Sequence, residues 1–349
     1  MQKQNGLSLV ELMISLTLGI VLMTGVVQLF LTSRVTYNTQ QGISRIQESG
    51  RMATDFLAQD IRMAGYMGCM SRPENITLGV EGASVGDYLY DFSVALEGYS
   101  GSNHPLTGLG TASAPVEDSD VLLIRRAGGD GLSIVGPTGS NANLDVAPDA
   151  DGNCVGDGPV CVGDLAVVAD CNQGRVFRVT NVTNIGGGGT RIVHADAGYD
   201  PGNIDPQLGN QQFPPGAEVM SVNTIAYYVA DSSFAPGVRS LWQRVGDNTP
   251  NELIEGVERM KLLYGRDTND NGAPNRYDEE SDISGAQWGQ VVAVRAHLLM
   301  QSMEANILPE PQTLDFAGEL LEGDAVADRR MRQVFTSTIG IRSRLKTPE

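Results

Sequence analysis

The sequence predicts an α+β fold in which one long N-terminal helix precedes antiparallel β-structure. Three observations carry that expectation. Residues 12–33 form a 22-residue uncharged, mostly apolar run between Glu11 and Arg34, long enough to cross a bilayer core of ~30 Å as a helix. Residues 34–65 keep helical spacing but become amphipathic. Beyond residue 70, strand-like segments follow one another in runs, the order of elements expected of α+β chains.

The chain opens on MQKQNG, a polar leader over Met1–Gly6 that carries Lys3. Its positive charge keeps the leader in the cytoplasm and sends the remainder outside. Glu11 stands four residues after Leu7, inside the apolar region, where a charge is costly and marks function. A secretory signal has an apolar stretch of ~7–15 residues with a small-residue cleavage site behind it. Here the stretch is longer and the small residue, Gly6, comes before it. A plain anchor would not require Glu11.

In the second half of the helix, Ile43, Ile46, Ala53, Leu57, Ile61 and Ala64 fall on one stripe, the spacing of a 3.6-residue period. Gln41, Arg45, Gln47, Glu48, Arg51, Asp55 and Arg62 lie opposite. No Pro interrupts residues 7–65, which predicts one helix of roughly 55–60 residues, on the order of 85 Å. Gly19, Gly25, Gly42 and Gly50 lower its propensity and permit local unwinding. Gly65 and Gly68 supply the stop.

From Ser71 to Ala114 the chain is Gly- and Ser-rich and reads as loops with short strands. VLLIRR (121–126) is the first clear strand. LAVVAD (165–170), VFRVTNV (176–182) and RIVHA (191–195) follow between turns. TIAYYVA (224–230) and SLWQRV (240–245) read as an antiparallel pair. In Val291–Met300 the residues Val292, Val294, Ala296, Leu298 and Met300 share a face, with Arg295 and His297 opposite. The last strand falls in QVFTSTIGIRSR (333–344). These segments predict two β-rich regions, residues 70–215 and 216–349, divided near the Pro- and Gly-containing QQFPPGAE.

Charge and cysteines bound the function. The 349 residues carry 42 acidic against 24 basic side chains, a net charge of −18. That argues against non-specific nucleic-acid binding by the exported part, which takes Lys and Arg, and suits a solvated extracytoplasmic surface. Cys69, Cys154, Cys161 and Cys171 would be oxidised there. Four cysteines allow three pairings. We favour a local Cys154–Cys161 bridge and a longer Cys69–Cys171 bridge from the helix end to the body. Zinc is disfavoured, because there is no C-x₂-C pair and the three His are scattered.

DTNDNGAPNRYD, residues 267–278, is the sharpest local motif. It matches a twelve-position calcium loop with Asp267, Asn269, Asn271 and Asp278 at positions 1, 3, 5 and 12, Gly272 at the turn, and the Ala273 carbonyl at position 7. Two departures weigh against it: position 12 is Asp rather than Glu, and the flanks read as strand and loop rather than helices. The competing reading is an Asx-rich turn. No hydrolase or phosphate-loop signature accompanies these features, so no enzyme is expected.

NGLSLVELMISLTLGIV resembles the class III signal of type IV pilins and pseudopilins, G-[FML]-[ST]-L-[VIL]-E. That resemblance implies cleavage after Gly6 by a prepilin peptidase, N-methylation of Leu7, and an assembly role for Glu11 in neutralising the Leu7 amine. Residues 45–69, RIQESGRMATDFLAQDIRMAGYMGC, resemble the post-membrane segment of PilW-type minor pilins. Gln47, Ser49, Gly50, Arg51, Ala53, Leu57, Asp60, Ile61, Arg62, Ala64, Gly65, Tyr66, Gly68 and Cys69 carry the likeness. Similar proteins often have an acidic Asx stretch after Tyr-Gly, as Tyr264–Gly265 precede it here, which favours calcium.

The resemblance divides the chain into a leader (1–6), a transmembrane half-helix (7–33), an amphipathic half-helix (34–69) and the two β-rich regions. It implies an inner-membrane subunit with a periplasmic body that later joins the pilus, at or near its tip, serving twitching motility and adhesion. Implied partners are PilV-, PilX-, FimU- and PilE-like minor pilins, the major pilin, a tip adhesin, the prepilin peptidase and the inner-membrane assembly platform. The rivals are a type II secretion pseudopilin of the GspJ kind and a calcium-dependent adhesin on a pilin anchor.

Overall fold

The computed structural model describes residues 8–70, 75–81, 87–136, 143–147, 150–156, 160–195, 198–204 and 208–344. Its first element is one α-helix, Leu9–Arg62, of 54 residues. None of its four glycines breaks it. Gly42 and Gly50 are buried and serve instead as points of close approach. A Cβ on Gly42 would touch Ile307, and one on Gly50 would collide with the Phe335 ring.

Two compact units divide the chain. One comprises Met1–Glu48 with Gln301–Gln333. In it, Arg45 of the helix faces Glu304 at 3.7 Å, and Leu314–Phe316 pairs with Glu319–Leu321 as a small hairpin. Arg332 grips Asp328 through two hydrogen bonds of 2.8 and 3.0 Å. Ile46 is buried here, whereas Ile43, expected beside it, is exposed.

The other unit comprises Ser49–Met300 with Val334–Glu349. It buries the remainder of the predicted stripe, Ala53, Leu57, Ile61 and Ala64, all at 0% exposure. The helix stops where Gly65 takes a φ of +70°, the left-handed cap that glycine adopts without penalty. The Gly65 N–H then bonds the Arg125 carbonyl at 2.8 Å.

The main sheet has eight strands built around Glu218–Asp231. That strand pairs antiparallel with Asp120–Ser133, Leu165–Ala169 and Arg239–Val245. Its residues are buried almost throughout, as a central strand covered on both faces must be. Gly174–Arg178 extends the sheet beside Leu165–Ala169, and Ile76–Leu78 adds a short parallel edge. The sheet takes strands from both sides of residue 215, so the Pro- and Gly-containing stretch there leads into its central strand.

A second sheet runs in the order Arg276–Asp278, Val257–Arg266, Val291–Gln301, Arg332–Gly340. Side chains stitch it to the first. Ser119 Oγ accepts from the Met260 N–H at 2.9 Å, and Asp120 Oδ2 accepts from the Leu262 N–H at 2.7 Å. These bonds satisfy strand N–H groups that no neighbouring strand reaches there.

Candidate functional site

The helix begins with a reciprocal cap. Ser8 Oγ accepts the Glu11 N–H at 3.2 Å, and Glu11 Oε2 accepts the Ser8 N–H at 2.9 Å. This is a capping box, Ser at the cap and Glu three positions on. Glu11 therefore has an intramolecular task within its own chain. Gly6 and Leu7 lie outside the described residues.

Above the cap the helix presents a mostly apolar exterior as far as Ser33, with no charged side chain between Glu11 and Arg34. Leu12, Leu16, Leu22, Leu29 and Phe30 are all more than half exposed. Its few hydroxyls turn inward on the helix: Ser15 donates to the Glu11 carbonyl at 2.7 Å, Thr17 to Met13 at 3.0 Å and Thr24 to Ile20 at 2.8 Å. These three hydroxyls are thereby satisfied within the helix, which suits a hydrocarbon environment. The helix is long and apolar enough to cross a membrane.

At its other end the helix is fixed by a carboxylate. In the sequence Asp60 suits a solvated helix face and packing against sister subunits equally, and in the structure it is only 5% exposed. Its Oδ1 is 2.8 Å from Arg126 Nη2, and its Oδ2 accepts the Tyr227 hydroxyl at 2.6 Å. Gln243 donates to the same hydroxyl oxygen at 2.7 Å. Burial, with the Asp60 charge second, pushes the Tyr227 phenol well above its ordinary range, so it remains a donor. Three strands of the main sheet thus hold one helical side chain. Arg62, two positions on, is exposed.

The Asp267 loop has half of the expected calcium geometry. Asp267 Oδ1 and Oδ2 accept the N–H groups of Asn271 at 3.1 Å and Gly272 at 2.6 Å, and Gly272 turns with a φ of +83°. Burial works against the Asp267 charge, but these N–H groups outweigh it and hold the carboxyl below its usual value. Asn271 Oδ1 is engaged by the Ala273 N–H at 2.9 Å, while Asn269 contributes its backbone N–H to Asp267.

The closing position does not fit. Asp278 is buried in a strand with Arg266 on Oδ2 at 3.1 Å and Arg276 on Oδ1 at 2.8 Å. A calcium ion takes six to eight oxygens, ordinarily with a free carboxylate at position 12. Two guanidinium groups already occupy that carboxylate and would repel a cation. Among the described residues no three His, Cys, Asp or Glu side chains converge as a metal site. The loop is built as an Asx turn closed by arginines.

The cysteines form two bridges, Cys69–Cys171 and Cys154–Cys161. The first joins residues 102 apart and ties the segment after the helix to the turn between Leu165–Ala169 and Gly174–Arg178. The second staples neighbouring short strands.

A long apolar N-terminal helix carried ahead of antiparallel sheets is the architecture of an α+β, pilin-like fold. Residues 1–27 match the prokaryotic N-terminal methylation motif, and residues 226–343 match the family model of type IV pilus-assembly protein W. The two matches support a PilW-type minor pilin, with an N-terminal signal and an apolar helix suited to membrane anchoring. The second match covers the later strands of the main sheet and all four strands of the second sheet, a region separate from residues 45–69, which carry the sequence likeness. No curated protein and no solved structure matches the chain significantly.

Proposed function

We propose that this subunit primes type IV pilus assembly and sits at or near the pilus tip, where it supports twitching motility and adhesion. The observation that carries the reading is the apolar half of the helix, with its exposed apolar side chains and its one carboxylate, Glu11, held at the N-terminal end. Cleavage after Gly6 exposes the Leu7 amine, which is methylated. Glu11 then trades its cap for that amine, on its own chain or a neighbour's, and the pair sets register. Opposite charges attract far more strongly in low dielectric than in water. Before assembly the body, residues 63–349, lies in the periplasm. A body of that size suits a tip complex with other minor pilins, the major pilin and an adhesin better than close packing along a shaft. The role is structural and involves no catalysis.

An in-frame deletion tests this reading. Surface pili and twitching should be lost, and wild-type piliation in the deletion strain overturns the reading. Selective loss of enzyme secretion with intact pili would instead indicate a secretion pseudopilin. In complementation, Glu11→Ala should be processed and membrane-inserted, as mass spectrometry of the mature N-terminus would show, yet fail to restore pili.

A further inference from the structure

We propose that the free edge of strand Arg332–Gly340, together with the groove beside its end, takes an extended acidic segment of another protein, added to the second sheet as a further strand. The site uses neither the apolar half of the helix nor Glu11, so it stands or falls apart from the pilus reading.

The strand is outermost in its sheet, with Val291–Gln301 on one side and no strand on the other among the described residues. Ile341, just past its end, donates its N–H inward to the Val292 carbonyl at 2.9 Å. Hydrogen-bonding direction alternates along an antiparallel strand, so Gly340, Thr338 and Thr336 turn their N–H and C=O groups outward. The hydroxyls of Thr338 and Thr336 meet Arg295 and His297 of the neighbouring strand at 3.2 and 2.9 Å. That closeness of side chains is expected at pairs without mutual backbone hydrogen bonds.

This edge is also unguarded. Outer strands are ordinarily kept short, charged or interrupted by proline, because their open backbone groups recruit further strands. Three other outer strands obey that rule. Ile76–Leu78 and Arg276–Asp278 have 3 residues each, and Asn251–Glu255 carries Glu252 and Glu255. Residues 333–341, QVFTSTIGI, hold no charge and no proline. A long, uncharged, open edge is a place for strand addition.

The groove selects the partner. The helix runs beside the strand, with Gly50 against the Phe335 ring and the Ala64 carbonyl accepting the Ser343 hydroxyl at 2.8 Å. Between them opens a groove of about 660 Å³ whose walls include Asp55, Ala58, Arg62, Met63, Gly340 and Arg342. Arg62 and Arg342 are exposed and have no ion-pair partner among the described residues, although acidic side chains outnumber basic ones 42 to 24 in the chain. A segment laid along residues 334–340 enters this groove at Gly340, where the strand has no side chain. A carboxylate there meets two guanidinium groups, which suit it in charge and in hydrogen-bond geometry, with only Asp55 opposing. Pairing with the same strand of a second copy supplies no such carboxylate, since residues 333–341 hold none.

Fluorescence anisotropy on the full chain in detergent micelles tests the site, with the capped and labelled peptide EETVTVTEE as probe. Its Thr-Val centre favours a strand, and its ends carry the carboxylates. Saturable binding is expected, with slowed amide exchange over residues 336–340 by hydrogen-exchange mass spectrometry. Arg62→Gln combined with Arg342→Gln should weaken binding about tenfold through the loss of charge-assisted hydrogen bonds. Thr338→Pro removes an outward N–H at an edge position that tolerates proline, and it should abolish binding. The exposed arginine pair keeps the test decisive if the proline variant folds poorly. The proposal is overturned by absence of saturation at about 5 mM peptide, by undiminished binding in both variants, or by equal binding of KKTVTVTKK or EETVPVTEE. Exchange over residues 336–340 that is already slow without peptide and quickens on dilution would also overturn it, identifying a second copy of this chain as the occupant.

Discussion

Asp60 and Asp120 are both carboxylates withdrawn from water, and they answer to different physics. Asp60 is stabilised by a guanidinium and a phenol. Nothing in the sequence reveals this, because its partners lie 66 and 167 residues away and a charge beside a helical stripe reads as solvated. Asp120 has the Leu262 N–H and a more distant Lys261. Burial dominates there and pushes its carboxyl up to about 7, with the N–H and the ammonium pulling the other way. An unfolded Asp titrates near ~4. The folded chain therefore holds the Asp120 proton more tightly, and this contribution to stability is complete below about pH 4. It declines as pH rises toward about 7 and is absent above that. Asp120→Asn keeps an acceptor for Leu262 and abolishes the charge. The variant should unfold about 1–3 kcal/mol harder than wild type at pH 8 and nearly equally at pH 4, as denaturant titrations at the two pH values would show. The cysteines were legible as oxidised, and the favoured pairing, Cys154–Cys161 with Cys69–Cys171, is the one the structure holds.

Among the elements, the N-terminal helix was the most legible, since its apolar run and its 3.6-residue stripe are local signals. Ile43 is the exception on that stripe, exposed in the unit where the helix has few neighbours. The strands with clean alternation, such as Val291–Gln301, were legible for the same reason. Val257–Arg266 was not. Its VERMKLLYGR places Glu258, Arg259 and Lys261 among apolar residues, because Arg259 and Lys261 meet Asp118 and Asp120 across the seam between the sheets. The loop after it shows how far a motif reaches. Spacing placed the Gly272 turn, but neither the N–H groups on Asp267 nor the arginines on Asp278, one of which precedes the motif, were legible in it. Calcium at millimolar concentration is therefore expected to leave the melting temperature unchanged. A calcium-dependent rise that vanishes in Asp267→Ala would show that Asp278 releases its arginines to the ion.

For the molecule as a whole, strand order was the illegible part. The central strand of the main sheet comes late in the chain, and it collects partners made long before it, a non-local pairing that local pattern does not encode. The longer disulfide constrains this same assembly. In the chain-entropy picture, closing a loop of about 100 residues contributes about 4.7 kcal/mol, against roughly 2.5 for the short Cys154–Cys161 loop. Cys69→Ser with Cys171→Ser should accordingly lower stability by about 2–5 kcal/mol, and more than the paired serine variant of the short bridge, as read by denaturant unfolding.

The position of Cys69, just past the capped end of the helix, has a mechanical consequence. Tension applied along the helix meets the side-on contacts of residues 53–64 and the Asp60 clasp, which resist as shear across many bonds at once. What passes beyond Gly65 does not peel the short edge strand at Ile76 from the sheet. It reaches a covalent link at residue 69 first, and that link delivers the force to the turn at Cys171 beside the central strands. The helix can thus be pulled without unravelling the chain behind it.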